Sequence, residues 1–279
     1  MTALIRRSAP ILLAGLVFMA ALLPARAADL DRLEAFLEVT GFDVALESIK
    51  LTAETAPSMI GLEANDFGAQ WTMLVEDVFE VEQMHGMALD ILSQTLEDDL
   101  LTHAVDFYAS DLGQRLVVAE NASHMTEDDA LKSEAGEAIV AGLVQLGSPR
   151  LEELKRLNAA TGSEDAAIRA VQEVQVRFLM AAAGAGVIEL QMDETDLRET
   201  LKTQEGEMRR NMQVSALSGS AYTYQAFSDD DITAYADALE DPKMRQVYEL
   251  MNAVQFEIMA NRYEAVAARM SQLRPSQDL

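Results

Sequence analysis

Apolar residues recur along this chain with the period of a helix. Leu30, Leu33, Phe36 and Leu37 fall on one face, and Leu101, Ala104, Val105 and Tyr108 repeat the i, i+3, i+4, i+7 spacing. Val247, Leu250, Met251, Val254 and Ile258 form a longer stripe of the same kind. Alternation of β-branched residues never persists beyond a few positions, and Ala, Leu, Glu and Met, which helices favour, dominate. The pattern predicts an all-α protein, a bundle of helices.

The pattern is also laid down twice, and such self-similarity is the mark of a repeat architecture. At an offset of 131, Gln94, Asp98, Asp99, Thr102, Asp106 and Asn121 match Gln225, Asp229, Asp230, Thr233, Asp237 and Asn252. Leu101, Val105 and Tyr108 fall in register with Ile232, Ala236 and Leu239. Upstream, Leu30, Leu33, Thr40, Gly41 and Ala45 match Leu151, Leu154, Thr161, Gly162 and Ala166 at an offset of 121, so the second copy carries 10 more residues. The segment 181–186, made of Ala and Gly alone, is the expected place for them, since glycine weakens a helix.

The organisation expected is a leader over 1–27, one helical repeat over 28–147 and a second over 148–279, with the matching segments at about 94–122 and 225–253. Ser148 should cap the first helix of the second repeat, with Pro149 at its first helical position. No long Pro/Gly/Ser linker separates the repeats, so they are expected to pack together.

The first residues read as an address. Arg6 and Arg7 precede an apolar run over 9–23, Pro24 breaks it, and Ala25-Arg26-Ala27 has the small-x-small pattern of a cleavage site. This is the layout of a secretory signal peptide cut after Ala27, and it predicts a periplasmic or secreted protein. The run is shorter than the roughly 20 residues that span a bilayer, so no membrane span is expected after cleavage.

Charge then narrows the partners. The whole chain sets 21 Lys and Arg against 47 Asp and Glu, a formal charge of −26. The leader holds three arginines and no acid, so its removal takes the charge to −29. Such a surface argues against nucleic acid, whose affinity comes from cations neutralising phosphates, and against anionic lipid. Neutral or basic proteins and small ligands are the partners that remain. The chain has no cysteine, which removes disulfides, thiol catalysis and thiolate metal sites, so a hydrophobic core must hold it together.

One short stretch carries a resemblance. Phe107 and Tyr108, then Ser110, Gly113, Gln114 and Leu116, are similar to the hallmark of the domain of unknown function 2059 family of exported bacterial proteins, with Asp111 where the family usually has Pro. The second copy keeps the turn as Asp241-Pro242 but has Ala238-Leu239 for Phe-Tyr and Met244 for Gly. The resemblance implies an all-helical exported protein, and it brings no activity with it. Physical reading makes the Phe107–Leu116 motif a corner: one helix ends at Tyr108 or Leu239, and Ser110 or Asp241 caps the next. Phe107 and Tyr108 wedge between the helices, and Gly113 lets them approach.

Candidate chemistry is thin. The acid runs at 97–99, 127–129 and 229–231 are consecutive, whereas calcium loops space their carboxylates at alternate positions. They read as helix starts, with Thr126 and Ser228 as N-caps. Glu82 and His85 form half of a di-iron pattern whose second half is missing, and Met84, His85 and Met87 could present soft ligands to copper but also suit a core. No hydrolase or phosphate-loop motif occurs, and a paired-acid site cannot be located among so many carboxylates. Trp71 and the Phe residues fall at core-like spacing and suggest no ligand box. Sequence thus assigns no catalytic, cofactor or metal residue. The first reading is a non-enzymatic interaction or binding module; the alternatives are a small-ligand or cation carrier and, third, a carboxylate-dependent enzyme.

Overall fold

A computed structural model describes residues 30–273, and the leader expected over 1–27 lies outside them. All regular structure among the described residues is helical. The first half holds α1 (Leu30–Thr40), α2 (Phe42–Glu47), α3 (Ile49–Thr52), two 3-10 segments at Ala53–Ile60 and Ala64–Asp66, α4 (Ala69–Val78), α5 (Val81–Thr95), α6 (Asp98–Tyr108), α7 (Asp111–His124) and α8 (Asp129–Leu146). The second holds α9 (Arg150–Ala160), α10 (Glu164–Gly184), α11 (Glu194–Thr203), α12 (Glu205–Thr223), α13 (Asp229–Leu239) and α14 (Pro242–Met270). None of these helices is long and apolar enough to cross a membrane.

The predicted stripes face inward. Leu33, Phe36, Leu37, Leu101, Ala104, Tyr108, Val247, Met251, Val254 and Ile258 are buried, while Leu30 at the start of α1 is exposed. One continuous core joins residues of both halves, including Trp71, which packs on Phe67. A small satellite of Val176, Leu197 and Leu201 holds α11 on α10. The 29-residue α14 is the axis of the bundle: it packs on α10, α6, α5, α4 and α13. It also carries Arg262, which is buried and donates to the Val78 carbonyl at the end of α4 and to Gln83 Oε1 at 2.6 Å. A guanidinium at the negative end of α4 offsets part of what burying a cation costs.

Helix starts mostly follow the sequence. Ser228 forms a capping box with Asp231, and Asp98 and Asp99 occupy the first turn of α6. Ser110 Oγ accepts from Gly113 N at 3.1 Å, and Asp241 accepts from Lys243 N at 2.8 Å, with Pro242 opening α14. Two caps need correction. Thr126 donates back to the Ala122 carbonyl and so closes α7, leaving Asp128 to cap α8 by accepting from Leu131 N. Ser148 N bonds to the Leu143 carbonyl behind left-handed Gly147, so it completes the end of α8, and Pro149 precedes α9 with no side-chain cap. In the 181–186 segment α10 ends at Gly184.

The corner of the Phe107–Leu116 motif depends on Gly113. A Cβ built there would lie 2.4 Å from the Phe107 carbonyl oxygen and 2.6 Å from Tyr108 Cα. Backbone cannot yield as a flexible side chain can. Gly113→Ala should therefore cost about 1–3 kcal/mol in urea unfolding. Gly142→Ala, at a helical site with nothing within 4 Å, should be neutral or stabilise by up to about 1 kcal/mol. Equal midpoints for the two variants would contradict this account of the corner.

Candidate functional site

Four tyrosines converge on one carboxylate where the two halves meet. Tyr108 ends α6, Tyr224 follows α12, Tyr235 lies on α13, Tyr248 on α14, and Glu120 on α7. Tyr108, Tyr235 and Tyr248 sit on the faces their helices turn to the core, and Tyr224 joins them from the residue that closes α12. Tyr224 and Tyr235 donate to the same oxygen, Glu120 Oε1, at 2.7 and 2.8 Å. The Tyr235 hydroxyl lies 2.8 Å from that of Tyr248 and 3.0 Å from that of Tyr108, and Tyr108 and Tyr248 bond to each other. Phe107 stacks on Tyr235 at 5.8 Å between centroids, and Tyr224 meets Tyr235 edge-on.

Proton accounting gives this network a direction. Tyr235 spends its proton on Glu120, so it can only accept from its neighbours. A chain that passes through Tyr108 and Tyr248, in either order, to Tyr235 and then Glu120 uses each hydroxyl proton once. Burial raises the Glu120 pKa above the ordinary carboxyl value, while the hydroxyls of Tyr224 and Tyr235 oppose the rise. Burial also pushes the four phenols up, so none ionises ahead of the carboxyl.

A cavity of about 220 Å³ opens beside the carboxylate, between α1, α2, α7 and α14. Glu120, Asn121, Asn252 and Gln255 supply its polar wall, Phe36 and Phe42 part of its apolar wall, and the exposed His124 stands at its edge. A second, larger space of about 1120 Å³ is an open groove within the second half, between α9, α10, α12 and α14. Seven of its lining residues are alanine, and these short side chains leave the room. Three acids on its wall are already engaged: Glu164 with Arg209, Glu173 with Arg177 and Arg198, and Glu257 with Arg177. Arg169 on the same wall makes no ion pair or hydrogen bond with a described residue.

Residues that sequence singled out lie elsewhere. Met84 is fully buried in the core, His85 Nε2 lies 3.2 Å from the Asp43 carbonyl, and Met87 packs at the core margin, so the three are spent on packing and one local bond. Among the described residues no three His, Asp or Glu side chains are grouped to hold a metal ion. Glu80 and Glu82 do interact, with the Glu80 pKa raised and the Glu82 pKa lowered by their shared hydrogen bond, but they lie at the exposed start of α5 and line neither space. Sequence reasoning missed Glu120 and its tyrosines. The reading of aromatic spacing followed Trp71 and the phenylalanines, took Tyr108 as a wedge at the corner, and did not single out Tyr224, Tyr235 or Tyr248.

Residues 82–141 match a family model described as an uncharacterized protein conserved in bacteria, DUF2059. The match spans α6, α7 and the corner between them, and so includes Tyr108 and Glu120 but not Tyr224, Tyr235 or Tyr248. Neither the curated proteins nor the solved structures yield a match to this chain.

The raised Glu120 pKa fixes the sign of a pH effect. Folding gains a proton there, so the stability linked to it is full below the ordinary carboxyl value of 4.5 and is lost as pH rises through the higher folded value. Glu120→Gln carries no such charge. The difference in unfolding free energy between the native chain and the Gln variant should therefore shift against the native chain as pH rises across that window. A difference that is flat with pH would contradict the burial of an ionisable carboxyl.

Proposed function

We propose that this chain is a non-enzymatic binding protein, exported from the cytoplasm, that holds an apolar chain with an acidic head group in the groove of its second half. The observation that carries the reading is that groove: about 1120 Å³, walled by alanines with Val214, Leu217 and Phe256. It reaches the upper end of the range of small-molecule sites, roughly 300–1,000 Å³, and has the apolar lining they share. Three of its four acids are committed to ion pairs, Glu249 is not, and Arg169 is the cation of the wall without an acidic partner among the described residues. A cation without an acidic partner beside an apolar groove suits a carboxylate or phosphate head. Export rests on the basic, apolar and small-x-small order of residues 1–27.

The same reading includes duplication. α6 and α13 have 11 residues each and begin 131 positions apart, as do α7 and α14. Asn121 stands over Gly41, where a Cβ would come within 2.5 Å of its Oδ1. Asn252 stands over Gly162, where one would come within 2.9 Å of its Nδ2. Ion pairs cross reciprocally, Arg115 on α7 to Asp231 on α13 and Lys243 on α14 to Asp99 on α6. The groove lies beside the second Asn–Gly pair and the smaller cavity beside the first.

Palmitate should displace the apolar anionic dye anilinonaphthalene sulfonate from the delipidated protein. Ala253→Trp, at an exposed position of the groove wall, should weaken palmitate by about tenfold or more. Arg169→Glu should weaken palmitate by about three- to tenfold and leave hexadecanol nearly unchanged. Palmitate that fails to displace the dye, or binds Ala253→Trp as well as the native chain, would contradict the proposal.

A further inference from the structure

The cavity beside Glu120 is separate from the groove and has a different chemistry. It lies between elements of both halves, and its volume is about 220 Å³. Glu120 Oε1 is saturated by two phenols, whereas Oε2 accepts from no described residue. The side-chain amides of Asn121 and Gln255, on the same wall, make no hydrogen bond within the described chain. Glu120, Asn121 and Gln255 are half-buried, and none of their side-chain atoms is among the buried polar atoms without a partner, so this carboxylate oxygen and these amides are reached from the cavity and open to a ligand there.

The phenol network limits what those open groups can take. Every tyrosine proton is already directed along the chain that ends on Glu120 Oε1, so the phenols have none to offer a ligand. To a donor the wall offers three acceptors, Glu120 Oε2 and the amide oxygens of Asn121 and Gln255, and the two amide NH2 groups are donors beside them. An anion would face the carboxylate and a chain of net charge −26. A hard metal ion is ordinarily held by several carboxylates, whereas this wall has one, and among the described residues no three His, Asp or Glu side chains are grouped to hold a metal. A group that only donates and carries positive charge fits, and the rings of Phe36 and Phe42 can take an alkyl stem and face a cation. The volume falls below the roughly 300 Å³ at which drug-sized sites begin, which limits the stem to a few carbons.

We propose that this cavity binds a small primary alkylammonium ion, with its nitrogen on Glu120 Oε2 and the Asn121 and Gln255 carbonyl oxygens and its stem against Phe36 and Phe42. The site is independent of the groove and of any ligand the groove holds.

The probe is n-butylammonium chloride, with 1-butanol and sodium butyrate as neutral and anionic controls of the same length. The full mature chain is used, with calorimetric titration and thermal unfolding as readouts. n-Butylammonium should bind and raise the melting temperature, and the alcohol and butyrate should bind at least about tenfold more weakly. Glu120→Gln should lose about tenfold or more in affinity for the amine. Phe42→Trp narrows the cavity without touching the phenol network, and it should lose the amine too, which decides the matter if the Gln variant does not fold. Absence of amine binding, binding undiminished in Phe42→Trp or in a folded Glu120→Gln, or butyrate binding as tightly as the amine would each overturn the proposal.

Discussion

A buried carboxylate must be given hydrogen bonds or become neutral, and in this protein that constraint gathers the bundle at Glu120. Its two phenol donors come from α13 and from the residue that closes α12, and the network continues to phenols on α6 and α14. Four separate parts of the chain are thus gathered around one acid on α7. An apolar contact at the same spot would tolerate sliding, since burial is not directional, but a hydroxyl that must meet one oxygen at 2.7 or 2.8 Å does not. The network specifies how the halves sit, and the continuous apolar core supplies most of the force that holds them.

The bundle leaves two kinds of space around α14. Where long side chains and phenols meet, the space is small, and Glu120, Asn121 and Gln255 open into it among apolar neighbours. Where alanines line α9, α10, α12 and α14, it is large and apolar. Asn252 touches both, so α14 is the wall they share. The acidic surface is largely organised by arginines that each bridge helices: Arg156 joins α9 to Asp237 and Glu240 at the end of α13, and Arg177 joins α10 to Glu257 on α14. Exposed pairs of this kind contribute little individually, roughly 0–1 kcal/mol, and their use here is to spread charge of one sign over a surface that would otherwise repel itself.

Much of the fold was legible because helices write themselves locally. Apolar stripes, N-caps at Ser110, Ser228 and Asp241, and the glycine at the Phe107–Leu116 corner all depend on neighbours within a few residues. The two misplaced caps, Thr126 and Ser148, failed for one reason. Each residue follows a helix closely and was drawn into closing it before it could open the next. The Glu120 site was illegible for a different reason. Its tyrosines are numbered 108, 224, 235 and 248, with no spacing that marks them, and each occupies a position any apolar side chain could fill. Glu120 is one of 47 acids, and only the packing of α6, α7, α13 and α14 distinguishes it. The groove was hidden likewise, because an alanine on a helix face reads as close packing until the facing helix is seen to stand away.

The most direct test of that central role is a double-mutant cycle between Glu120→Gln and Tyr235→Phe, read by urea unfolding near neutral pH. If the phenol and the carboxylate act as one unit, the two losses are not additive, and the coupling free energy is about 1 kcal/mol or more. Losses that add within about 0.3 kcal/mol would show two independent side chains and contradict the account.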